Sequence, residues 1–341
     1  MIIKKLKKNK KKLISFNKFL FSYFIITIIF GSIFFTFILT SYTFKKTSIK
    51  FLDHFSKAGR YEYIYIPKIV FSALKSNFYK IEKINLEISF NNLLALENDR
   101  KKAISKGTLE SSENLSKVKI VINNQGNKYN GRARLKGDRK PHFEDKNKSS
   151  YKIELKKNEY FLGMKKFSLQ KPRLRNYIHE WIFHQISSDF NIIKLKYMFI
   201  NLSLNGEDKG LYVLEEGFGK ELLERNKRRN GPIFGLNEDL SSNYENPVFE
   251  IYNKKYWEKS ENIKLVRTAS QKLRDFFNET LPVEEAFDLE KWSSYFSIID
   301  LTSTYHGAYL KSVKLYYNPI NGLFEPIPFD GHRLKPNFHK Y

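Results

Sequence analysis

SVKLYYNPINGLFEPIPFD, residues 312–330, decides how the rest of the chain is read. Two short apolar runs, SVKLYY (312–317) and LFEPIPF (323–329), flank NPING (318–322). Asn, Pro and Gly between such runs predict a hairpin. One carboxylate, Asp330, stands at the hairpin's exit, directly before Gly331. An Asp there can cap a turn or hold a metal ion, and position alone leaves both readings open.

Upstream of the hairpin, PVEEAFDLEKWSSYFSIIDLTSTY (282–305) predicts a helix that delivers His306. The order is then a loop residue, a short spacer, two strands and an Asp. Protein kinases place a catalytic acid, a metal-holding amide, a hairpin and a metal-binding Asp in that order.

Working outward, INLEISF (84–90), VKIVIN (118–123), RARLK (132–136) and SYKIEL (150–155) alternate as strands do, with NNQGNKYNG (123–131) as a turn-rich link. NNLLALENDRKKAISKG (91–107) predicts a helix ending at Gly107, and KELLERNKRR (220–229) a short polar one. LRNYIHEWIFHQISSDF (174–190) has helical spacing, with Leu174, Ile178, Trp181, Ile182 and Ile186 on one face. YMFINLSL (197–204) and LYVLEE (211–216) flank NGEDKG as a second hairpin. Neither a repeat nor an interior linker is visible, so residues 81–341 are expected to form one α+β domain.

The chain has 341 residues, 30 Phe and 21 Tyr, enough to bury a core. Its net charge is +24. The lysines are spread along the chain, and no nucleic-acid-binding motif stands out, so no specific nucleic-acid partner is expected. Cysteine is absent, which excludes disulfides and thiolate chemistry. One basic cluster is real, Lys4 to Lys12, within a tail at 1–18. It precedes FLFSYFIITIIFGSIFFTFILT (19–40), which carries no charge. At 1.5 Å per residue that stretch reaches roughly 33 Å, enough to cross a bilayer. The lysine excess before it places the amino terminus in the cytoplasm. Residues 41–80 then read as a stalk or the start of the domain, and the main domain is expected to be extracytoplasmic, in a periplasm or at a cell surface.

Several residues could carry chemistry. In RARLKGD (132–138), Arg132, Arg134 and Lys136 share one strand face and could grip phosphates or simply face solvent. In KSSYKIEL (148–155), Lys152 offers a point charge in mid-strand. HEWIFH (179–184) sets its histidines five apart, about 140° around a helix, which argues against zinc. Glu180 in the same stretch sits near the expected buried face and needs a partner, for which a sheet lysine is expected.

Taken together, RARLKGD, KSSYKIEL, FLGMKKFSLQKPRLRNYIHEWIFHQI, FINLSLNGEDKGLYVLEEGFGKELLE and KLYYNPINGLFEPIPFD resemble the CotH family, named for a spore-coat protein and described as atypical protein kinases. The likeness runs from about residue 118 to 334. It implies a distant kinase-like two-lobed fold that binds ATP with Mg or Mn and phosphorylates Ser or Thr of a partner protein. By matching positions, Lys152 resembles the phosphate-holding lysine and Glu180 its helix partner. Glu215 and Glu216 fall where adenine would lie, and Arg134 and Lys136 where a strand would cover the phosphates. Asp330 resembles the metal-binding Asp, with Ser312 as a further metal ligand. His306 stands where the family pattern wants a catalytic Asp, and His332 where it wants a second acid. The chain ends eleven residues after Asp330, so the domain is expected to be truncated at its C-terminus. The alternative implied by these departures is a catalytically inactive envelope or surface protein on the same fold.

Overall fold

The computed structural model describes residues 81–111, 113–137, 139–237, 247–259 and 261–332, together with 27, 28 and 31. Those three positions apart, the expected tail, membrane helix and stalk at 1–80 lie outside the described residues. Among the described residues no helix is long and apolar enough to cross a membrane. Residues Ile81–Tyr341 form one unit, and it is of the mixed α+β class.

Seven strands close into a barrel: β1 (Glu82–Glu87), β2 (Val118–Asn124), β3 (Asn127–Leu135), β4 (Tyr151–Leu155), β5 (Lys166–Gln170), β6 (Tyr197–Leu204) and β7 (Glu207–Glu216). Their order is β1-β2-β3-β4-β5-β7-β6, and a parallel pairing of β1 with β6 seals it. Closure removes the unpaired edges that an open sheet would expose. Period-2 alternation sends Ile84, Leu86, Ile120, Ile122, Ile153, Leu169, Ile200 and Leu214 to the interior, all nearly inaccessible. The partner positions on β3, β4, β5 and β7 line the outer wall, which meets the candidate site through Lys136, just past β3.

Helix α1 (Phe90–Lys106) follows β1 and stops where expected, with Gly107 in the left-handed region at φ 83° and its N–H bonded to the Ala103 carbonyl. NNQGNKYNG is not a loose link: β2 and β3 meet at a tight turn of Gln125 and Gly126, both with positive φ, and β3 begins at Asn127.

The helix α2 (His179–Asp189) is shorter than expected, and residues 172–175 form a 3-10 turn before it. Its orientation is also reversed. Glu180, Phe183, His184 and Ser187 are buried, while Ile178 and Trp181 are exposed. On the inward side Phe183 packs with Ile192, Tyr295, Ile298 and Ile299, beside the ion-paired Glu180.

A second sheet, ordered β11-β10-β8-β9, combines β8 (Ile233–Leu236), β9 (Phe249–Ile251), β10 (Lys314–Tyr317) and β11 (Phe324–Ile327). The last two are the hairpin expected at 312–329, in antiparallel register Lys314↔Ile327 to Tyr317↔Phe324. Helices α3 (Ile263–Phe277) and α4 (Leu289–Thr302) accompany it. Ala269 and Leu273 of α3 pack with Phe234, Phe287, Leu315 and Phe324. The segment 282–305 is not one helix: Asp288 interrupts it, capping α4 by accepting the Lys291 N–H at 3.2 Å.

Candidate functional site

Asp330 leaves the β10–β11 hairpin in the left-handed region, φ 58°. Asp is among the few residues that tolerate that conformation. Gly331 follows because a Cβ there would stand 2.2 Å from Cδ1 of Phe183. That close approach of hairpin exit to α2 seats the Asp330 carboxylate over the helix. The Asp330 N–H donates to Oε1 of Glu180 at 2.8 Å.

Arg175 joins the two acids. It ends the 3-10 turn at Pro172–Arg175, and Asn176 and Tyr177 follow, both left-handed at φ 49° and 63°. Its Nη1 lies 2.7 Å from Asp330 Oδ1. Its Nε approaches Glu180 Oε2 at 2.9 Å as an ion pair without the alignment of a hydrogen bond. Glu180 is fully buried, and His184 Nε2 stands 3.7 Å from its Oε1. Burial acts to raise the Glu180 carboxyl, but His184 and Arg175 outweigh it and hold it below the usual range. Asp330 follows the same logic. Burial opposes its charge, and Arg175, then hydrogen bonds from His306 and His332, keep its carboxyl well below the usual value.

Two histidines flank Asp330. His306, in the 3-10 turn Tyr305–Ala308, places Nδ1 3.2 Å from Oδ2. His332 places Nδ1 3.1 Å from Oδ1. Their rings stack with centroids 3.9 Å apart and planes 29° from parallel. Ser312 Oγ lies 3.1 Å from His306 Nδ1 and 3.5 Å from Oδ2. Among the described residues, His306, Asp330 and His332 form a group able to hold a metal ion, with ligand atoms within 4.8 Å of one another.

The barrel wall supplies charge of the other sign. Lys136, just past β3, pairs with Glu215 on β7 and donates to Gln170 Oε1 at 3.0 Å. Lys152 faces Arg134 and Ser168 across β4. Desolvation of its ammonium, then repulsion by Arg134, Lys136 and Lys166, push Lys152 down to about 8. Its side chain is also open to solvent, which screens part of that effect. Desolvation likewise lowers Arg134, whose Nη1 donates to the Leu135 carbonyl at 2.9 Å.

A cleft of about 440 Å³ gathers Lys136, Arg139, His142, Arg175, His306, Lys311, Ser312, Asp330 and His332. A second cavity of about 530 Å³ lies on the other side of Tyr252, lined by Lys165, Lys166, Tyr256 and Trp257. It contains none of the metal-capable triad, so the smaller cleft is the better candidate for chemistry.

The expected residues therefore divide. Asp330, His306, Ser312 and Glu180 share one connected network, which continues through the cleft to Lys136 and Glu215. Glu180 takes Arg175, from the turn before α2, as partner in place of the expected sheet lysine. Glu216 sits apart, accepting from the Lys196 N–H at 2.8 Å and pairing with Arg225. Its strand is bonded on both sides, to β5 and β6. Arg175, His184, Gln170 and His142 are site residues that the sequence alone does not mark.

His142 lies against Gly137, whose φ of 95° and missing Cβ leave room for the imidazole. Its Nδ1 is 3.2 Å from Ser150 Oγ. Burial, then Lys136 and Arg175, push it from 6.5 down to about 3. The folded protein thus keeps His142 neutral while the unfolded chain protonates it below about pH 6.5. Stability is full above that value and falls toward pH 3, by about 1.4 kcal/mol per pH unit where the two states differ by a whole proton. Urea midpoints measured between about pH 7 and 4.5 are expected to fall less steeply in His142→Phe. An unchanged slope would exclude this group as the cause.

The model of the family described as CotH kinase protein matches residues 133–333. That span covers the cleft from β3 to His332. No curated protein matches the chain. With more than half of its length matched, the chain belongs to the CotH kinase protein family.

Proposed function

We propose that the chain is a metal-dependent nucleotide-binding phosphotransferase of distant kinase-like, two-lobed design, acting on Ser or Thr of a protein substrate or envelope partner. The observation that carries this reading is one cleft holding both a metal-capable triad and a lining of cations, Lys136, Arg139 and Lys311. Triphosphate transfer needs those two elements together. Asp330, His306, His332 and Ser312 would hold a divalent ion, Mg or Mn in the family's pattern, and ATP would lie toward the barrel wall. A divalent ion supplies neutralisation of charge on the transferring phosphoryl group.

The chain's own residues do the rest. Lys136 and Lys152 present ammonium groups to phosphate oxygens, and Arg134 backs them on the same wall. Glu215 holds Lys136 in place. Arg175 and Glu180 fix the Asp330 carboxylate. His306 points Nδ1 at that carboxylate, a ligand's placement, so its suggested role as base passes to positioning the ion. A loose phosphoryl transition state asks little of a base. We further propose that residues 19–40 anchor the chain with the domain outside the cytoplasm. An inactive assembly protein is the second reading, favoured by the pairing of Arg175 with Asp330 and the lack of an acid at position 306.

Thermal shift of the full chain in detergent separates the two. ATP is expected to raise the melting temperature only when Mn or Mg is present. Lys152→Ala, at an exposed position, is expected to weaken that binding about tenfold, the worth of one charge-assisted contact. No shift with any nucleotide and metal pair would leave the assembly reading.

A further inference from the structure

The geometry points to a nitrogen-rich ion site at His306, Asp330 and His332 that selects transition ions such as Mn(II) or Zn(II) over Mg(II). This deepens the metal role proposed above and rests on it. The first support is donor chemistry. Two imidazoles and one carboxylate converge, with Ser312 Oγ behind them. Magnesium prefers an all-oxygen octahedron, whereas imidazole suits Mn, Co and Zn increasingly along the series.

Spacing is the second support. Each Nδ1 stands 3.1–3.2 Å from its own carboxylate oxygen. Bonds of about 2.0–2.1 Å at tetrahedral or octahedral angles put neighbouring ligand atoms roughly 2.8–3.4 Å apart. The same distances suit hydrogen bonds from both rings to Asp330. Conversion is simple in proton terms: each neutral imidazole shifts its proton from Nδ1 to Nε2 and exposes a lone pair. The rings stack 3.9 Å apart, with one Nδ1 at each carboxylate oxygen.

Charge is the third. Arg175 is shared between Asp330 and Glu180, so the three together carry a net −1. Lys136, Arg139 and Lys311 line the same cleft. A hard dication that depends on Coulomb attraction gains little there. An ion bound through imidazole nitrogen loses less.

The test uses the metal-free full chain in detergent, titrated by calorimetry with MnCl2, ZnCl2 or MgCl2 and no nucleotide. Mn and Zn are expected to bind at least roughly tenfold more tightly than Mg. His332→Asp, at a partly exposed position, is expected to narrow that ratio by about tenfold, since it restores an oxygen donor. Pulsed electron paramagnetic resonance of the Mn-loaded wild type is expected to show imidazole nitrogen coupling, and this readout needs no variant to fold. Equal or tighter Mg binding, no ion binding at all, or Mn without nitrogen coupling would each overturn the proposal. Selective ion binding without ATP binding would instead remove the phosphotransferase reading and leave this site standing.

Discussion

Arg175→Ala is expected to destabilise the domain by about 3–5 kcal/mol at neutral pH, the range for breaking a buried ion pair by deleting one partner. The side chain is 9 % exposed and is the cation shared by two acids, one of them fully buried. Removing it leaves two neighbouring carboxylates without their shared cation, while the Asp330 backbone N–H still donates to Glu180 Oε1. Their charges then repel, and one acid is expected to take up a proton. The deficit should therefore shrink between about pH 7 and 5, because protonation relieves the mutant while both wild-type carboxylates, held below their usual range, stay charged and paired. Arg175→Lys is expected to recover only part of the loss. An ammonium cannot serve Glu180 through Nε and Asp330 through Nη1 in one planar fork. Urea unfolding of the full chain, followed by tryptophan emission at about pH 7 and pH 5, measures this. A loss below about 1 kcal/mol, the worth of a surface pair, would show that the network is not structural.

That network also explains where the sequence misleads. On α2 the apolar spacing of Ile178, Trp181 and Ile182 is real, yet the helix buries Glu180 and His184. Periodicity records which residues avoid water. It does not record which charges meet a partner from another segment. Arg175 has no signal of its own, being one of 60 cations in the chain. Only the fold brings it between residues 180 and 330.

Elsewhere the split follows sequence distance. β1, β2 and β4 alternate cleanly because one face enters the barrel and the other meets water or the cleft. KFSLQ (166–170) alternates too, but both of its faces are covered, Phe167 and Leu169 inward and Ser168 and Gln170 towards the wall, so the alternation there does not mark an exposed face. Barrel closure depends on pairing Glu82 with Ile200, far along the chain, which no local pattern contains. The hairpin at 312–329 is legible because its turn residues and both strands are contiguous. So is Asp330 as a residue of interest, since its neighbours are Pro, Phe and Gly. Its histidine company is visible only as departures from a family pattern, whose meaning needs the 3.9 Å stacking to emerge.

Asp330→Asn is expected to abolish metal-dependent nucleotide binding while keeping the fold, and this decides between turn cap and ligand. Position 330 has φ 58°, a conformation that Asn adopts as readily as Asp. The substituted amide would keep the backbone N–H bond to Glu180 and one acceptor oxygen for Arg175. What it loses is the negative charge that an ion requires. A drop in ion affinity of at least roughly hundredfold is expected, with a stability loss of about 1–3 kcal/mol, the worth of a hydrogen bond to a charged group. Asp330→Ala is expected to lose the same binding and more stability, since Ala tolerates the left-handed region poorly. The wild-type carboxyl is held well below its ordinary value of 3.8, so its stabilising charge is complete above that value. It is lost only as pH falls through the lowered folded value, and the gap between wild type and the Asp330→Asn variant is expected to stay constant from about pH 7 to 5. If that variant binds Mn and ATP as the wild type does, Asp330 is a turn residue and the ion is held elsewhere.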